Sequence, residues 1–324
     1  MTRLTKSFSA QETTVRHNQF LVPCAFLLLW CSNPLMLKNA LLCLLLILTV
    51  SFQPLMAAPD FVAIKAQAQL AEDTYLEAHT LEQRLEEQGQ SLLHQSIIPL
   101  SQVSYFLSRA NGVQTIAIRG TANLENAMLD LDLELQPDSL LNIKLHQGFG
   151  SGAKAVYEDI QPFLSKEHPI HLTGHSLGGA IAVILAMYLE KDGFAVEQVI
   201  TFGQPKVTNA TGAKMFSRLP LTRVVTPNDI VPLVPPISPM QIKDLDIFWH
   251  MGEEVILLGG KTFTQTNGIK SMLRATKFTT SIPNEQNLIA HKMTTYVNLI
   301  EALQTTPQEM PYKTDISLFG FSLD

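Results

Sequence analysis

A serine flanked by glycines provides this chain with a candidate nucleophile. The run Gly174-His175-Ser176-Leu177-Gly178-Gly179 contains Gly-x-Ser-x-Gly, which is typical of the sharp strand-to-helix turn called a nucleophile elbow. Glycines lack a Cβ, so a strand and a helix can approach closely there. The helix directs free backbone N–H groups toward the serine, where an oxyanion would form. The pattern predicts attack by Ser176 on a carbonyl carbon; the alternative is an ordinary glycine-rich turn.

A serine hydroxyl is a weak nucleophile, so Ser176 requires a histidine base that a carboxylate orients. In hydrolases with this elbow the chain order is Ser, then Asp or Glu, then His. Two histidines, His250 and His291, follow Ser176. His291 precedes a helical pattern near the end of the chain, where this order needs the base, and we predict that it is the base. His250 lies in a predicted strand, 247–258, where a buried base is poorly placed. For either histidine the alternative is a helix cap or a satisfied core position.

Asp229 is the candidate acid. It follows a β-rich run, 221–225, and the turn formers Pro227 and Asn228. Asp229 therefore lies just past the end of a strand, where catalytic groups collect in open α/β sheets. The alternative is an Asx turn or a helix cap. The position of Asp229 between the serine and the last histidine favours the catalytic interpretation.

Two donors are predicted for the oxyanion hole. The first is the backbone N–H of Leu177, the residue after the nucleophile. The second comes from an alternating segment, 114–118, that predicts a strand ending in Arg119-Gly120-Thr121. Thr121 can offer its N–H and its hydroxyl to the developing charge, or it can cap a following helix. His175 is on the wrong side of the elbow for a base, and we expect it to pack beneath the turn.

Eight segments, in this order, resemble the class 3 lipase family: 118–121, 126–131, 146–149, 172–180, 201–205, 228–232, 250–254 and 290–291. The resemblance covers about 100–303. It implies an α/β-hydrolase fold and a hydrolase of lipid carboxylic esters that needs no cofactor or metal. It also implies a triad of Ser176, Asp229 and His291, an oxyanion hole of Thr121 and Leu177, and a structural His-x-Gly-x-Glu element that contains His250.

The resemblance leaves the substrate open. A phospholipase A1 and an esterase for soluble esters are alternatives among enzymes, and an inactive hydrolase-fold binding module at a membrane is the alternative among other proteins. The family usually has Trp where Ala127-Met128 follows Asn126, so the predicted lid at 122–133 is less aromatic here. The alternative for 122–133 is an ordinary amphipathic surface element. The basic and apolar loop 259–284 is a second candidate for substrate access, but a solvated insertion is the favoured interpretation of it.

Apolar residues concentrated before residue 59 predict an exported protein. Residues 36–58 follow the order of a secretory signal, with a charged residue, a leucine-rich run and small residues at the end: Lys38, 40–50, and Ala57 or Ala58. We expect Met36 to be the biological start and 1–35 an upstream extension. The alternative is an uncleaved membrane anchor, since 40–58 is just long enough to span a bilayer.

Composition limits what residues 59–324 can do. All three cysteines, Cys24, Cys31 and Cys43, precede this region, which excludes disulfides and cysteine-ligated zinc within it. Four of the 23 basic and one of the 29 acidic residues also precede it, which leaves a formal net charge of −9. This charge argues against a nucleic-acid partner, which needs a basic surface. The expected partner is a lipid or ester substrate, and the oligomeric state is unknown from sequence.

The length of 59–324 suits one α/β domain. Strands and helices alternate along it, which predicts a mostly parallel sheet with helices on both faces and an N-terminal antiparallel hairpin that turns at Asn111-Gly112. The hairpin spans 103–118. Further strands are predicted at 169–173, 197–202 and 222–226, and helices at 60–88, 152–165, 180–190 and toward Leu303.

Overall fold

Alternating strands and helices make up the described part of the chain. The strands are β1 (Ser91–Ile97), β2 (Ser104–Ala110), β3 (Val113–Ile118), β4 (Leu135–Asp138), β5 (Ile143–His146), β6 (Ile170–His175), β7 (Val196–Phe202), β8 (Thr208–Asn209), β9 (Leu221–Val225), β10 (Phe248–Trp249), β11 (Glu253–Gly259), β12 (Thr262–Thr266), β13 (Gln308–Glu309), β14 (Ser317–Leu318) and β15 (Phe321–Ser322). The helices are α1 (Phe61–Asp73), α2 (Ala78–Glu87), α3 (Gln147–Ile160), α4 (Leu177–Lys191), α5 (Ala210–Met215), α6 (Pro239–Asp244), α7 (Glu285–His291) and α8 (Met293–Ala302). Short 3₁₀ turns lie at Gln161–Phe163 and Val231–Leu233.

The computed structural model describes residues 58–99, 101–121, 134–236, 239–244, 246–266, 271 and 284–312, with the backbone of 317–318 and 321–322. Ala58–Asp324 forms one compact unit. Residues 1–57 of the predicted signal, the predicted lid at 122–133 and most of 267–283 lie outside the described residues. Across the described ranges, each helix is too short or too polar to cross a membrane.

The main sheet has the strand order β1-β2-β3-β6-β7-β9-β11-β12-β13. Its centre is parallel, because β3, β6, β7, β9 and β11 pair in parallel register. One side is antiparallel: β2 pairs with β3, and β1 adds to β2. A second sheet of four short strands has the order β10-β8-β5-β4. The predicted, mostly parallel sheet with an antiparallel N-terminal part is therefore confirmed.

Helices cover both faces of the main sheet, because side chains alternate along each central strand. In β3, Ile116 and Ile118 join one buried cluster with α3 and α4, whereas Ala117 joins another with α1 and α2. In β7, Val199 packs with α4, and Ile200 packs with α1 and α8. Burial on both faces explains why successive residues of a central strand, such as Ile116, Ala117 and Ile118, can all be apolar and buried.

Several predicted boundaries were right. The hairpin β2–β3 turns at Asn111 and Gly112, whose φ angles of 51° and 78° are both positive, as a type I′ turn requires. The strands predicted at 169–173, 197–202 and 222–226 lie within one or two residues of β6, β7 and β9.

Other boundaries were wrong. The single helix predicted at 60–88 is two helices, α1 and α2, and strand β1 was not predicted. The helix predicted at 152–165 begins earlier, at Gln147, where the His146 side chain caps it. The predicted loop 259–284 begins as a strand instead, because β12 pairs with β11.

Candidate active site

Ser176 lies in a strained turn between β6 and α4. Its φ and ψ angles are 56° and −127°, a region that non-glycine residues rarely occupy. The glycines around it are required by close packing: a Cβ on Gly174 would lie 2.5 Å from the carbonyl of Gly178. A Cβ on Gly178 would lie 2.1 Å from the oxygen of Ile118, at the end of β3. The predicted elbow is present, and it places the start of α4 against the end of β3.

Asp229 and His291 form a buried pair beyond the ends of the strands. The distance from His291 Nδ1 to Asp229 Oδ2 is 2.8 Å. Oδ2 also accepts a hydrogen bond from the Tyr296 hydroxyl at 2.5 Å, and Oδ1 accepts one from the Val231 backbone at 2.9 Å. Asp229 is fully buried. The sequence interpretation placed Asp229 just after a strand, and the structure places it four residues beyond the end of β9.

The Asp229 carboxyl is held ionised by its neighbours. Burial by itself would raise the pKa of Asp229, but the charge and hydrogen bond of His291 lower that pKa, as do the bonds from Tyr296 and Val231. The net pKa lies below the usual value for Asp. A carboxylate only accepts hydrogen bonds, so Nδ1 of His291 carries a proton. In the neutral ring, Nε2 is then free to accept a proton.

His291 Nε2 is the open atom of this pair. It is buried and has no hydrogen-bond partner among the described residues. The His291 ring lies 4.5 Å, centroid to centroid, from the ring of His175, the residue before Ser176. A base with an unused acceptor nitrogen therefore lies beside the elbow, and in resting enzymes the serine–histidine hydrogen bond is often long or poorly aligned.

The element that carries His291 differs from the prediction. His291 was expected on a loop before the final helix, but it is the last residue of the short helix α7. Asn284 and Asn287 form a capping box at the start of α7, and the Asn287 amide donates to the Asn228 carbonyl at 2.8 Å. The helix is thereby tied to the turn that carries Asp229. This contact joins residues 59 positions apart, which a local sequence pattern does not reveal.

Gly203 supports the pair from below and was not identified from sequence. Its φ is 59°, and a Cβ there would lie 2.8 Å from Asp229 Oδ2 and 2.9 Å from His291 Nδ1. A side chain at this position would push the two groups apart. Tyr296, in the final helix α8, was also not identified from sequence as a site residue. A buried tyrosine hydroxyl needs a partner, and that requirement is the signal that points to it.

The oxyanion side is formed by the end of β3 and the start of α4. Leu177 is the first residue of α4, so its N–H has no acceptor within the helix. Thr121 follows β3 by three residues and is half-buried. Gly120, the residue before Thr121, lies so close to the elbow that a Cβ on it would be 3.1 Å from Ser176 Cβ. Both predicted donors are thus on segments that adjoin the serine.

The remaining histidine candidates have structural partners. His175 is buried beneath the elbow, as expected, and its Nε2 lies 2.7 Å from the His291 carbonyl. His250 was predicted within a strand, but it lies in the break between β10 and β11, because Gly252 adopts a φ of 72°. His250 is buried, and its Nε2 lies 2.6 Å from the Pro232 carbonyl. It therefore holds the loop after Asp229.

A cleft of about 820 Å³ lies away from this site. It is lined by the starts of β7, β9 and β11, including Glu197, Thr222 and Glu253. Ser176 and Asp229 follow the opposite ends of parallel strands, His291 pairs with Asp229 there, and none of the three lines the cleft. In the described part of the chain, groups of three or more His, Cys, Asp or Glu that could hold a metal ion are absent.

Most of the segments that build this site also match known proteins. The family model described as "Lipase (class 3)" matches residues 115–238. Over these 124 of its 324 residues, the chain is similar to the class 3 lipases. The match begins within β3 and includes the elbow and the Asp229 turn, and it ends before His291.

Curated relatives match this chain over part of their length. A secreted mono- and diacylglycerol lipase of Fusarium solani is 31% identical over 131 residues, which cover 38% of this chain and 39% of the relative. A lipase of Rhizopus niveus is 32% identical over 154 residues, or 43% of this chain and 39% of the relative. The matched region therefore spans about two fifths of the length of these relatives.

Solved structures share the fold. The mono- and diacylglycerol lipase of Aspergillus oryzae superposes with a TM-score of 0.60 at 19% identity, covering 72% of this chain and 96% of the other. Lipase II from Rhizopus niveus gives a TM-score of 0.53 at 24% identity, with 61% and 81% covered. The predicted α/β-hydrolase fold is confirmed.

Proposed function

We propose that this chain is a class 3 lipase, a serine hydrolase that cleaves carboxylic ester bonds of lipids. One observation carries the proposal: a buried Asp229–His291 pair leaves only Nε2 of the histidine without a partner among the described residues, next to a serine in a strained elbow. A nucleophile, a base and an orienting acid are the parts that acyl transfer requires.

Each side chain has a defined step in this reaction. Ser176 Oγ attacks the ester carbonyl while His291 Nε2 takes its proton. Asp229 keeps the proton on Nδ1 and stabilises the imidazolium that forms. The N–H of Leu177, together with Thr121, stabilises the tetrahedral oxyanion. His291 then protonates the departing alkoxide, and a water activated by the same nitrogen hydrolyses the acyl-enzyme.

Lipid esters are the proposed substrate class because the relatives carry the names of lipid-cleaving enzymes. Those relatives are named as lipases, as mono- and diacylglycerol lipases and, for one Arabidopsis thaliana protein 30% identical over 131 residues, as a phospholipase A1. Assays with defined lipids are therefore required to identify the headgroup and the number of acyl chains of the substrate. The apolar segment before residue 59 and the word "secreted" in the name of the Fusarium relative support export of this chain.

The test measures hydrolysis of p-nitrophenyl butyrate and palmitate by the full chain, below and above the concentration at which the ester forms micelles. Ser176→Ala is compared with Ser217→Ala, an exposed serine after α5. Of these two variants, we expect only Ser176→Ala to abolish hydrolysis and labelling by a fluorophosphonate probe. Preference for micellar palmitate supports a lipase, and preference for soluble butyrate supports an esterase. Activity retained in Ser176→Ala, or an inert wild type, contradicts the proposal.

Export is tested separately. The full chain and a chain lacking 1–58 are expressed in the native host and located by fractionation. We expect only the full chain to leave the cytoplasm. Equal distribution of the two forms would contradict export through this segment.

A further inference from the structure

Two side chains, Tyr75 and His175, link the N-terminal helices to the backbone of the base, His291. The Tyr75 hydroxyl lies 2.8 Å from His175 Nδ1, and His175 Nε2 lies 2.7 Å from the His291 carbonyl oxygen. A carbonyl only accepts hydrogen bonds, so the proton of the neutral ring is on Nε2, and Nδ1 accepts from Tyr75. The direction of the two hydrogen bonds is thus fixed: Tyr75 donates to His175, and His175 donates to the backbone of His291.

The same tyrosine also contacts the oxyanion segment. A Cβ on Gly120 would lie 2.6 Å from the Tyr75 oxygen and 2.6 Å from the His175 carbonyl. Burial raises the pKa of Tyr75 to about 12, and the backbone N–H of Gly120 acts against this rise because it lies beside the phenol oxygen. Tyr75 therefore contacts, through one oxygen, the residue before Thr121 and the residue before Ser176.

His175 is kept neutral in this arrangement. Burial, and then the neighbouring charge of His291, lower the pKa of His175 to about 3. It therefore does not exchange protons at the pH where His291 acts as a base. Its contribution lies in the geometry of its two hydrogen bonds.

We propose that Tyr75 and His175 are positioning residues that hold the base His291 and the oxyanion segment in register with Ser176. This inference rests on the proposed function. It extends the site to a residue between α1 and α2, well before the matched segment 115–238. The first two helices would then be part of the catalytic architecture and more than a cover for the sheet.

The test compares Tyr75→Phe, His175→Gln and the double variant in the full chain. Tyr75→Phe removes only the hydroxyl. His175→Gln retains an N–H that can reach the His291 carbonyl but lacks the Nδ1 acceptor. Tyr105→Phe is the matched control, because it loses a 2.6 Å bond from a tyrosine hydroxyl to Asp159, outside the proposed triad. Each variant is assayed for kcat, KM, the rate of fluorophosphonate labelling, and Tm.

We expect Tyr75→Phe to lower kcat and the labelling rate about tenfold, since small misplacements of reacting groups cost up to about 100-fold. KM should change less than twofold and Tm no more than in Tyr105→Phe. In the His175→Gln background, Tyr75→Phe should have little additional effect, because the two residues act through one hydrogen-bonded chain.

Three results would overturn the positioning role: a wild-type kcat in Tyr75→Phe, fully additive losses in the double variant, or a fall in activity explained by a lower Tm than in Tyr105→Phe. These results leave the proposed function intact if Ser176→Ala is inactive. An inert wild-type protein that the probe does not label would instead refute the proposed function, and the positioning role with it.

Discussion

Two buried acidic side chains near β9 have cationic or basic partners but different surroundings. Within the strand, Arg223 pairs with Glu254 at 3.2 Å, and both side chains are almost completely buried. Six residues later, Asp229 pairs with His291 at 2.8 Å, and both are again buried. The first pair lies between parallel strands, and the second lies beyond their ends.

In the Arg223–Glu254 pair, every side-chain nitrogen and oxygen has a hydrogen-bond partner. The three guanidinium nitrogens of Arg223 donate to Met251, Glu254 and Ser271, and the other Glu254 oxygen accepts from Thr266. The Asp229–His291 pair has both carboxylate oxygens satisfied, whereas Nε2 of the histidine has no partner within the described ranges. A fully bonded pair is suited to holding strands together, whereas a histidine nitrogen without a partner beside a serine is suited to accepting a proton.

The largest expected effect is on catalysis. Asp229→Asn should lower kcat by about 10⁴-fold, because the amide no longer holds the proton on Nδ1 of His291. Steady-state ester hydrolysis measures the loss. Asp159→Asn, which changes a carboxylate bonded to Tyr105, is the control and should retain activity. A loss below tenfold in Asp229→Asn would remove Asp229 from the triad.

Glu254→Gln should affect mainly stability. Removing one partner of a buried ion pair leaves an uncompensated charge and costs about 3–5 kcal/mol of unfolding free energy. Chemical denaturation measures the change, and Glu253→Gln, the exposed neighbour on β11, is the control. At temperatures where the variant is folded, kcat should stay near the wild-type value. A large loss of kcat with an unchanged unfolding free energy would contradict the assignment of this pair to structure.

The Gly203→Ala variant tests whether steric contact or backbone strain disturbs the site. Its Cβ would meet Asp229 and His291 at under 3 Å, and we expect about a 100-fold loss of kcat/KM through displacement of the pair. Gly193→Ala is the control, since it has a φ of 82° but its Cβ has only Lys166 Nζ, at 4.0 Å, nearby. Equal activity losses in the two variants would show that strain, and not contact, explains the effect.

Each region also contains a buried neutral histidine, and this predicts a smaller, pH-dependent effect. Burial lowers the pKa of His175 to about 3 and that of His250 well below its usual value. A histidine with a depressed folded pKa stabilises the fold fully above its unfolded pKa of about 6.5 and loses that contribution as the pH falls toward the folded pKa. Each should therefore lower the unfolding free energy by about 1.4 kcal/mol per pH unit below pH 6.

Denaturation of the wild type and His175→Gln at several pH values between 6 and 4.5 checks this slope. This window lies above the range where Asp229, whose pKa is lowered, is expected to protonate. We expect His175→Gln to be less sensitive to acid than the wild type, and the exposed His79→Gln to behave as the wild type. An unchanged slope in His175→Gln would show that His175 is already protonated in the folded protein.

Local sequence patterns predicted a structural feature correctly where neighbouring residues are its physical cause. Gly-x-Ser-x-Gly between an apolar strand and an apolar helix predicted the elbow, because only glycines permit that approach. Asn111-Gly112 predicted the hairpin, because a type I′ turn needs two positive φ angles. Strand β1 was missed, since its pattern of half-buried residues at a sheet edge has no clear alternation.

The order of the chemical groups can be read from the amino-acid sequence: Ser176, then Asp229, then His291, with glycines where segments of the chain pass closely. Which atoms meet depends on the tertiary structure. Tyr296 and Val231 satisfy Asp229, Asn287 ties α7 to the acid turn, and Tyr75 reaches His175 across 100 residues of chain. These contacts depend on how distant elements pack, and a buried polar group can take its partner from any of them.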